Sequence, residues 1–461
     1  MNACPRFAVV GHPNKGKSSI VATMVHSDDI AISELSGTTV ATHCYSYQLD
    51  QQPLYSLFDT PGFQRPRQLM EWLQQQDTDA SKRLQAIEQF LQHFGAGQEA
   101  GERFRDEVEL LSPIVREGAG IIYVVDGSVP YSPKYEPEMT VLQWTGQPRM
   151  ALINPIGGEQ YVDEWKQALG QYFSLVKVFN PVVDGIEKQL AVLRSFAELS
   201  DAWREDLLKS ATAIEHHHQN TQNKAAFLIS EFISQALAAK VSKPLLADEL
   251  QDSLEELIRK EYRLRLQQHE KRLRQAILGL YRHQRLDIQE ANLELDYPDL
   301  FNQDYWYLFG MSRKKLVALA SSSGAAAGAL VDAGLGGASL MTGALIGGIG
   351  AGVASLYISN KPDTLSIKGL PLGGKQLTAG PVKDLNFAFV LLGRAVSYQR
   401  AIAARAHGNR NPLVVQESGS WIDALEKSKQ VALTGLLKTG HKGLSGKQRE
   451  HLQRLVYSLL L

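Results

Sequence analysis

Apolar residues fall in short runs through the first two hundred positions and then shift to helical spacing. Residues 7–10 (Phe-Ala-Val-Val), 120–125 and 150–153 are unbroken apolar stretches, the pattern of strands buried on both faces of a parallel sheet. Residues 41–49 alternate in character and are followed by 53–58, which together predict a hairpin-like pair of strands. Between 64 and 117 the pattern changes. Segments 67–76, 80–94 and 102–116 carry apolar residues at steps of three and four, with Gly95-Ala96-Gly97 as a break. They predict a helical insertion between two strands of the sheet, either a sensing element or a packing element tolerated at a surface loop.

From about residue 201 the strand signals stop. Residues 248–286 predict a long helix, with Leu254, Ile258, Tyr262, Leu266, His269, Leu273, Ile277 and Leu280 as its apolar stripe. Residues 316–358 contain a single formal charge, Asp332, and recurrent glycines. They divide into arms 316–331 and 339–358 around a glycine-rich break. The second arm has the length, about 20 residues, needed to cross a bilayer. Gly343 and Gly347 are four apart, as are Gly324 and Gly328, so one helix face in each arm is open to close approach by another helix. After a Gly/Pro-rich connection at 364–382, where a short β-hairpin is expected, residues 386–406, 420–438 and 446–461 predict helices. The fold class is therefore α/β, a doubly wound sheet over 1–200 with helices on both faces. A mostly α-helical domain over 201–461 follows, with an apolar hairpin at 316–358.

Candidate chemistry sits directly after the first strand. Residues 11–18 read Gly-His-Pro-Asn-Lys-Gly-Lys-Ser, followed by Ser19, the spacing of a P-loop. Gly11 and Gly16 let the backbone around His12, Pro13, Asn14 and Lys15 wrap closely enough for several N–H groups to point at phosphate oxygens, and the helix start adds its positive end. Lys17 is placed to reach the β- and γ-phosphates, and the Ser18 hydroxyl to hold Mg²⁺. Downstream, Thr38 and Thr39 close the run Ser36-Gly37-Thr38-Thr39, and the third strand ends in Asp59-Thr60-Pro61-Gly62. Asp59 suits an outer-sphere Mg²⁺ partner, Gly62 N–H suits the γ-phosphate, and Thr39 closes the metal shell.

In this order the residues resemble the translation-factor-related small GTPases of the Era and TrmE type, over roughly residues 5–200. The resemblance implies two switch loops that respond to the γ-phosphate, GTP and GDP as ligands, and slow intrinsic hydrolysis. It implies an apolar residue in place of a catalytic glutamine, and Phe63 stands there. It also implies that Asn14 helps to bind K⁺; a turn-stabilising role for Asn14 is the alternative. Lys17, Thr39, Gly62 and Asn14 are thus the expected catalytic set, with Ser18, Thr39 and Asp59 at the metal. Two features depart from the family pattern. After Asn154 the guanine-reading aspartate is replaced by Gly157, which leaves GTP against ATP preference open. The base-side loop after 175–179 reads Asn180-Pro181.

Composition narrows the partners. The net charge of −1 gives no global signal for nucleic acid, and two cysteines are too few for a disulfide framework. The apolar run begins by Phe7, so a signal-peptide core is not expected, and the nucleotide domain is placed in the cytoplasm. Arg313-Lys314-Lys315 and Lys361 flank the apolar hairpin, favouring both ends on the cytoplasmic side of a membrane. The expectation is a nucleotide-switched GTPase with a membrane or membrane protein as partner, peripheral or hairpin-anchored at the inner face. The alternatives are an RNA- or ribosome-binding assembly GTPase using the basic strip Arg259–Arg274, and a soluble regulatory nucleotide-binding module. His216-His217-His218 point to different helix faces and are expected on a solvated surface.

Overall fold

A computed structural model describes residues 4–27, 30, 41–76, 79–95, 103–245, 251–283, 356–361, 366–367, 370–371, 374–409, 411, 413 and 421–461. Two compact units emerge: Met1–His218 with Ala404–Asn411, and Gln219–Ala403 with Pro412–Leu461.

The first unit is built on a six-stranded sheet. β1 (Arg6–Val10) lies between β3 (Gln52–Asp59) and β4 (Gly120–Asp126). β2 (His43–Leu49) forms one edge, and β5 (Arg149–Asn154) and β6 (Leu175–Val178) complete the other side. All neighbours run parallel except β2, which pairs antiparallel with β3. Along β1, Phe7 and Val9 enter one core while Ala8 and Val10 enter the other, the two-sided burial that an unbroken apolar strand implies. Helix α1 (Lys17–Val25) covers one face through Ile20, Val21 and Met24, with α7 (Ile186–Ala197) beside it in the same core. On the other face lie α5 (Glu136–Trp144) and α6 (Val162–Leu169). Register places Asp59 opposite Val9 and Asp126 opposite Asn154. These side chains gather at the carboxyl ends of the strands, where open α/β sheets hold ligands.

The helical insertion forms α2 (Pro66–Gln74), α3 (Arg83–Phe94) and α4 (Arg105–Arg116). Leu69, Leu73, Ile87, Phe90, Leu110, Leu111 and Ile114 are fully buried in one core with Val10 and Tyr123. The insertion is part of the domain's interior, packed under the sheet.

The chain returns to this unit late. Gly408 N–H donates to the Thr23 hydroxyl (2.9 Å), which itself donates to the Pro181 carbonyl (2.7 Å). His407 stacks on His26 at 5.3 Å.

The second unit starts within α8 (Asp201–Ala238), at Gln219. It contains α9 (Gln251–Leu280), α10 (Leu385–Ala403), α11 (Lys427–Thr439) and α12 (Gly446–Leu460). The α9 stripe is buried at Ile258, Tyr262, Leu266, Leu273 and Ile277; His269 is half-buried. Glu270 on α9 takes the Arg394 guanidinium of α10 in two bonds, 2.8 and 3.2 Å, a pairing that offsets the burial of both charges.

Three strands correct the expectation that strand signals end near residue 201. β7 (Val241–Leu245), β8 (Leu356–Lys361) and β11 (Gly374–Ala379) form an antiparallel sheet in the order β7-β11-β8. The hairpin expected in 364–382 is β9 (Ser366–Ile367) paired with β10 (Leu370–Pro371). The end of the expected apolar arm, residues 356–358, begins β8 instead of continuing a helix, because main-chain pairing of Leu356 with Ala379 claims it. Residues 316–355 lie outside the described residues. Among the described residues no helix is long and apolar enough to cross a membrane.

Candidate nucleotide site

The loop between β1 and α1 is shaped by backbone that few residues adopt. Gly11 has φ +141°, and a Cβ there would lie 2.4 Å from the Val124 carbonyl. Gly16 has φ +83° and ends the loop as the N-cap of α1. Asn14 sits between them, exposed, in the left-handed region at φ 60°, a conformation that asparagine tolerates better than most side chains.

Lys17 lies buried beneath this loop. Its Nζ donates to the main-chain oxygens of His12 (3.0 Å) and Gly11 (3.3 Å). Burial lowers its pKa from 10.5 to about 8, against the charges of Asp59 and Glu138, which favour the ammonium. Ser18 and Ser19 occupy the first turn of α1, half-buried. Asp59, 3 % exposed, ends β3. Thr60 fixes the next turn by donating its hydroxyl to the Val9 carbonyl at 2.8 Å. Pro61 and Gly62 are buried, and a Cβ on Gly62 would stand 2.5 Å from the Pro13 nitrogen. Phe63 N–H closes the approach by donating to the Gly11 carbonyl at 3.2 Å, and its ring is wholly buried. The structure thus brings together residues 11–19 and 59–63; Thr38 and Thr39 lie outside the described residues.

On the far side, Asn154 is buried and its side-chain amide donates to the Lys15 carbonyl at 3.1 Å, so it braces the loop. The Lys15 ammonium meets Asp126 at 3.3 Å. Asp126 also accepts from the Ser128 hydroxyl (2.6 Å) and N–H (2.9 Å). A Cβ on Gly157 would lie 3.3 Å from that same hydroxyl, so Ser128 borders the space that a side chain at 157 would enter. After β6, the Asn180 N–H is taken by Asp184 at 2.8 Å and the Val182 N–H by the Asn180 side chain at 3.0 Å.

Sequence reading missed a group of carboxylates. Glu138 is 1 % exposed and accepts from Tyr123 (2.9 Å), with His12 Nδ1 at 3.0 Å; burial and this carboxylate push the Tyr123 phenol well up. Glu107 and Glu109 of α4 reach back to the loops. A signal was present. Glu107 precedes the buried Leu110 and Leu111 by three and four, and Glu138 precedes Val141 and Leu142 likewise, so both carboxylates sit on apolar helix faces. Among the described residues no group of three or more His, Cys, Asp or Glu side chains forms a metal cluster, and His216–His218 lie within α8.

Two family patterns match successive stretches of the chain. The family pattern described as 50S ribosome-binding GTPase matches residues 6–154. The domain of unknown function DUF3482 matches residues 166–456. GTPase Der of Phocaeicola vulgatus is 39% identical over 70 residues, covering 15% of this chain and 16% of that protein. GTPase Der of Rhodopirellula baltica is 27% identical over 122 residues, covering 26% of each. The chain therefore spans only about a sixth to a quarter of the length of these relatives. The crystal structure of Era from Aquifex aeolicus with GDP and aluminium fluoride aligns at 17% identity. It covers 38% of this chain and 50% of that one, with a TM-score of 0.26.

Proposed function

Since the chain belongs to the family of the domain of unknown function DUF3482 and carries a GTPase domain ahead of that region, we propose that it is a GTP-hydrolysing switch whose helical half works at a membrane. The convergence of Lys17, Ser18, Asp59 and Gly62 at the carboxyl ends of β1 and β3 carries the first part. On binding, the Lys17 ammonium exchanges two main-chain carbonyls for phosphate oxygens, and the N–H groups of the loop turn to the phosphates. Ser18 and Asp59 supply hard oxygen donors that suit Mg²⁺, with Thr39 as the third member implied by the resemblance. Gly62 N–H binds the γ-phosphate and registers its loss. Phe63, buried and apolar, does not orient water, so turnover is slow without added charge; exposed Asn14 is where K⁺ would supply it.

The membrane part rests on the sequence of residues 316–358, nearly uncharged and flanked by basic residues. The basic strip of α9 supports nucleic acid less well. Arg259 meets Glu255 on the same helix, and Arg265 is engaged by the Lys240 carbonyl. Flotation of the full chain with anionic phospholipid vesicles tests this reading, beside RNA binding across a salt series. The wild type is expected to float and Ile346→Arg to stay behind with nucleotide binding intact, because a charge in mid-span costs about 2.5–3.5 kcal/mol. A wild type that never floats and binds RNA with steep salt dependence would overturn it.

A further inference from the structure

Helix α4 holds the loop that follows β3 and the residue that leads into β2. Glu107 Oε1 accepts the N–H groups of Gln64 (2.9 Å) and Arg65 (2.6 Å), the residues between Phe63 and α2. Two residues further along α4, Glu109 accepts the Thr42 N–H on Oε2 (3.0 Å) and the Thr42 hydroxyl on its main-chain oxygen (2.8 Å). Glu107 is 1 % exposed, and burial raises its pKa while the two N–H bonds lower it. A carboxylate kept in such a place needs a reason, and the positive end of α2 with its two bonded amides supplies one. The helix is anchored independently, through Leu110, Leu111 and Ile114 in the core. Gly62 is thus pinned on both sides along the chain: the Thr60 hydroxyl bonds Val9 before it, and Phe63 N–H to Gly11 and the Glu107 carboxylate hold the residues after it.

We propose that Glu107 is a positioning residue for GTP hydrolysis, α4 setting the aim of Gly62 through residues 64–65. This rests on the GTPase reading, and two separate readouts keep the two apart. Full-length wild type, Glu107→Ala, Glu107→Gln and Glu109→Ala are compared for GTP kcat and KM, GDP affinity, and amide hydrogen exchange at residues 63–66. Glu107→Ala is expected to raise exchange at 64 and 65 about tenfold and to lower kcat about tenfold or more, with KM and GDP affinity nearly unchanged. Glu107→Gln retains an acceptor oxygen and should restore most of both. Glu109→Ala, at a half-buried position on the same helix, guards against misfolding; it should leave exchange at 64 and 65 unaltered. Unchanged exchange or unchanged kcat in Glu107→Ala would overturn the assignment, as would a Gln variant as impaired as Ala. A wild type without GTP turnover defeats the GTPase reading instead, and the exchange data still decide whether α4 holds the loop.

Discussion

Lys17→Met abolishes useful triphosphate binding while leaving the unliganded fold as stable as the wild type or more so. The methionine keeps most of the volume beneath the loop, but the ammonium that faces the phosphates is gone. Truncating one partner of a buried hydrogen-bonded charge pair costs about 2–5 kcal/mol, or roughly 30- to 4,000-fold in Kd. The stability half follows from the lysine's pKa, lowered to about 8 by burial. Between about 8 and 10.5 the unfolded chain holds a proton that the folded chain has released, so wild-type stability rises with pH across that window. The cost of holding the charge is fully present below it. In Lys17→Met that rise disappears. Nucleotide restores the proton, so wild-type affinity should fall as pH climbs above about 8. Thermal unfolding and nucleotide titration over this pH range check both halves; wild-type affinity in the mutant would remove Lys17 from the phosphate site.

Gly62→Ala separates binding from turnover. The added Cβ meets Pro13 at 2.5 Å from its nitrogen and 2.7 Å from its Cδ, distances that real Cβ atoms do not keep, so the loop after β3 must move off the P-loop. A misplacement of about 1 Å costs about 100-fold in rate. kcat for GTP should fall by that order, while GDP, which lacks the γ-phosphate, binds nearly as before. Gly435→Ala, with nothing within 4 Å of the new Cβ, serves as the control. Equal loss of GDP affinity in Gly62→Ala would show that the contact supports the loop itself and not the γ-phosphate sensor.

Legibility followed sequence distance. Residues 11–18 and 59–62 were readable because each carries its geometry in a few adjacent residue types, and β1 and β4 because strands buried on both faces leave unbroken apolar runs. The inserted helices were readable because Leu69 and Leu73, or Ile87 and Leu91, keep helical period. β7 was not: Val-Ser-Lys-Pro-Leu is short, exposed at its centre and contains a proline, and its partner β11 lies more than a hundred residues on. The bonds of Glu107 to residues 64 and 65, and of Gly408 to Thr23, close separations of 43, 42 and 385 residues, which no local pattern encodes. Gly157 was readable as a departure, but not the Ser128–Asp126–Lys15 chain beside it, because Lys15 in the loop after β1 is 111 residues from Asp126 at the end of β4.

Phosphate release from GTP by the purified full-length chain, in Mg²⁺ with K⁺, tests the central claim most directly. The account predicts slow release in the wild type, lost in Lys17→Met and reduced about 100-fold in Gly62→Ala. Release at the wild-type rate in Lys17→Met, or none from a wild type that binds GTP, would contradict it.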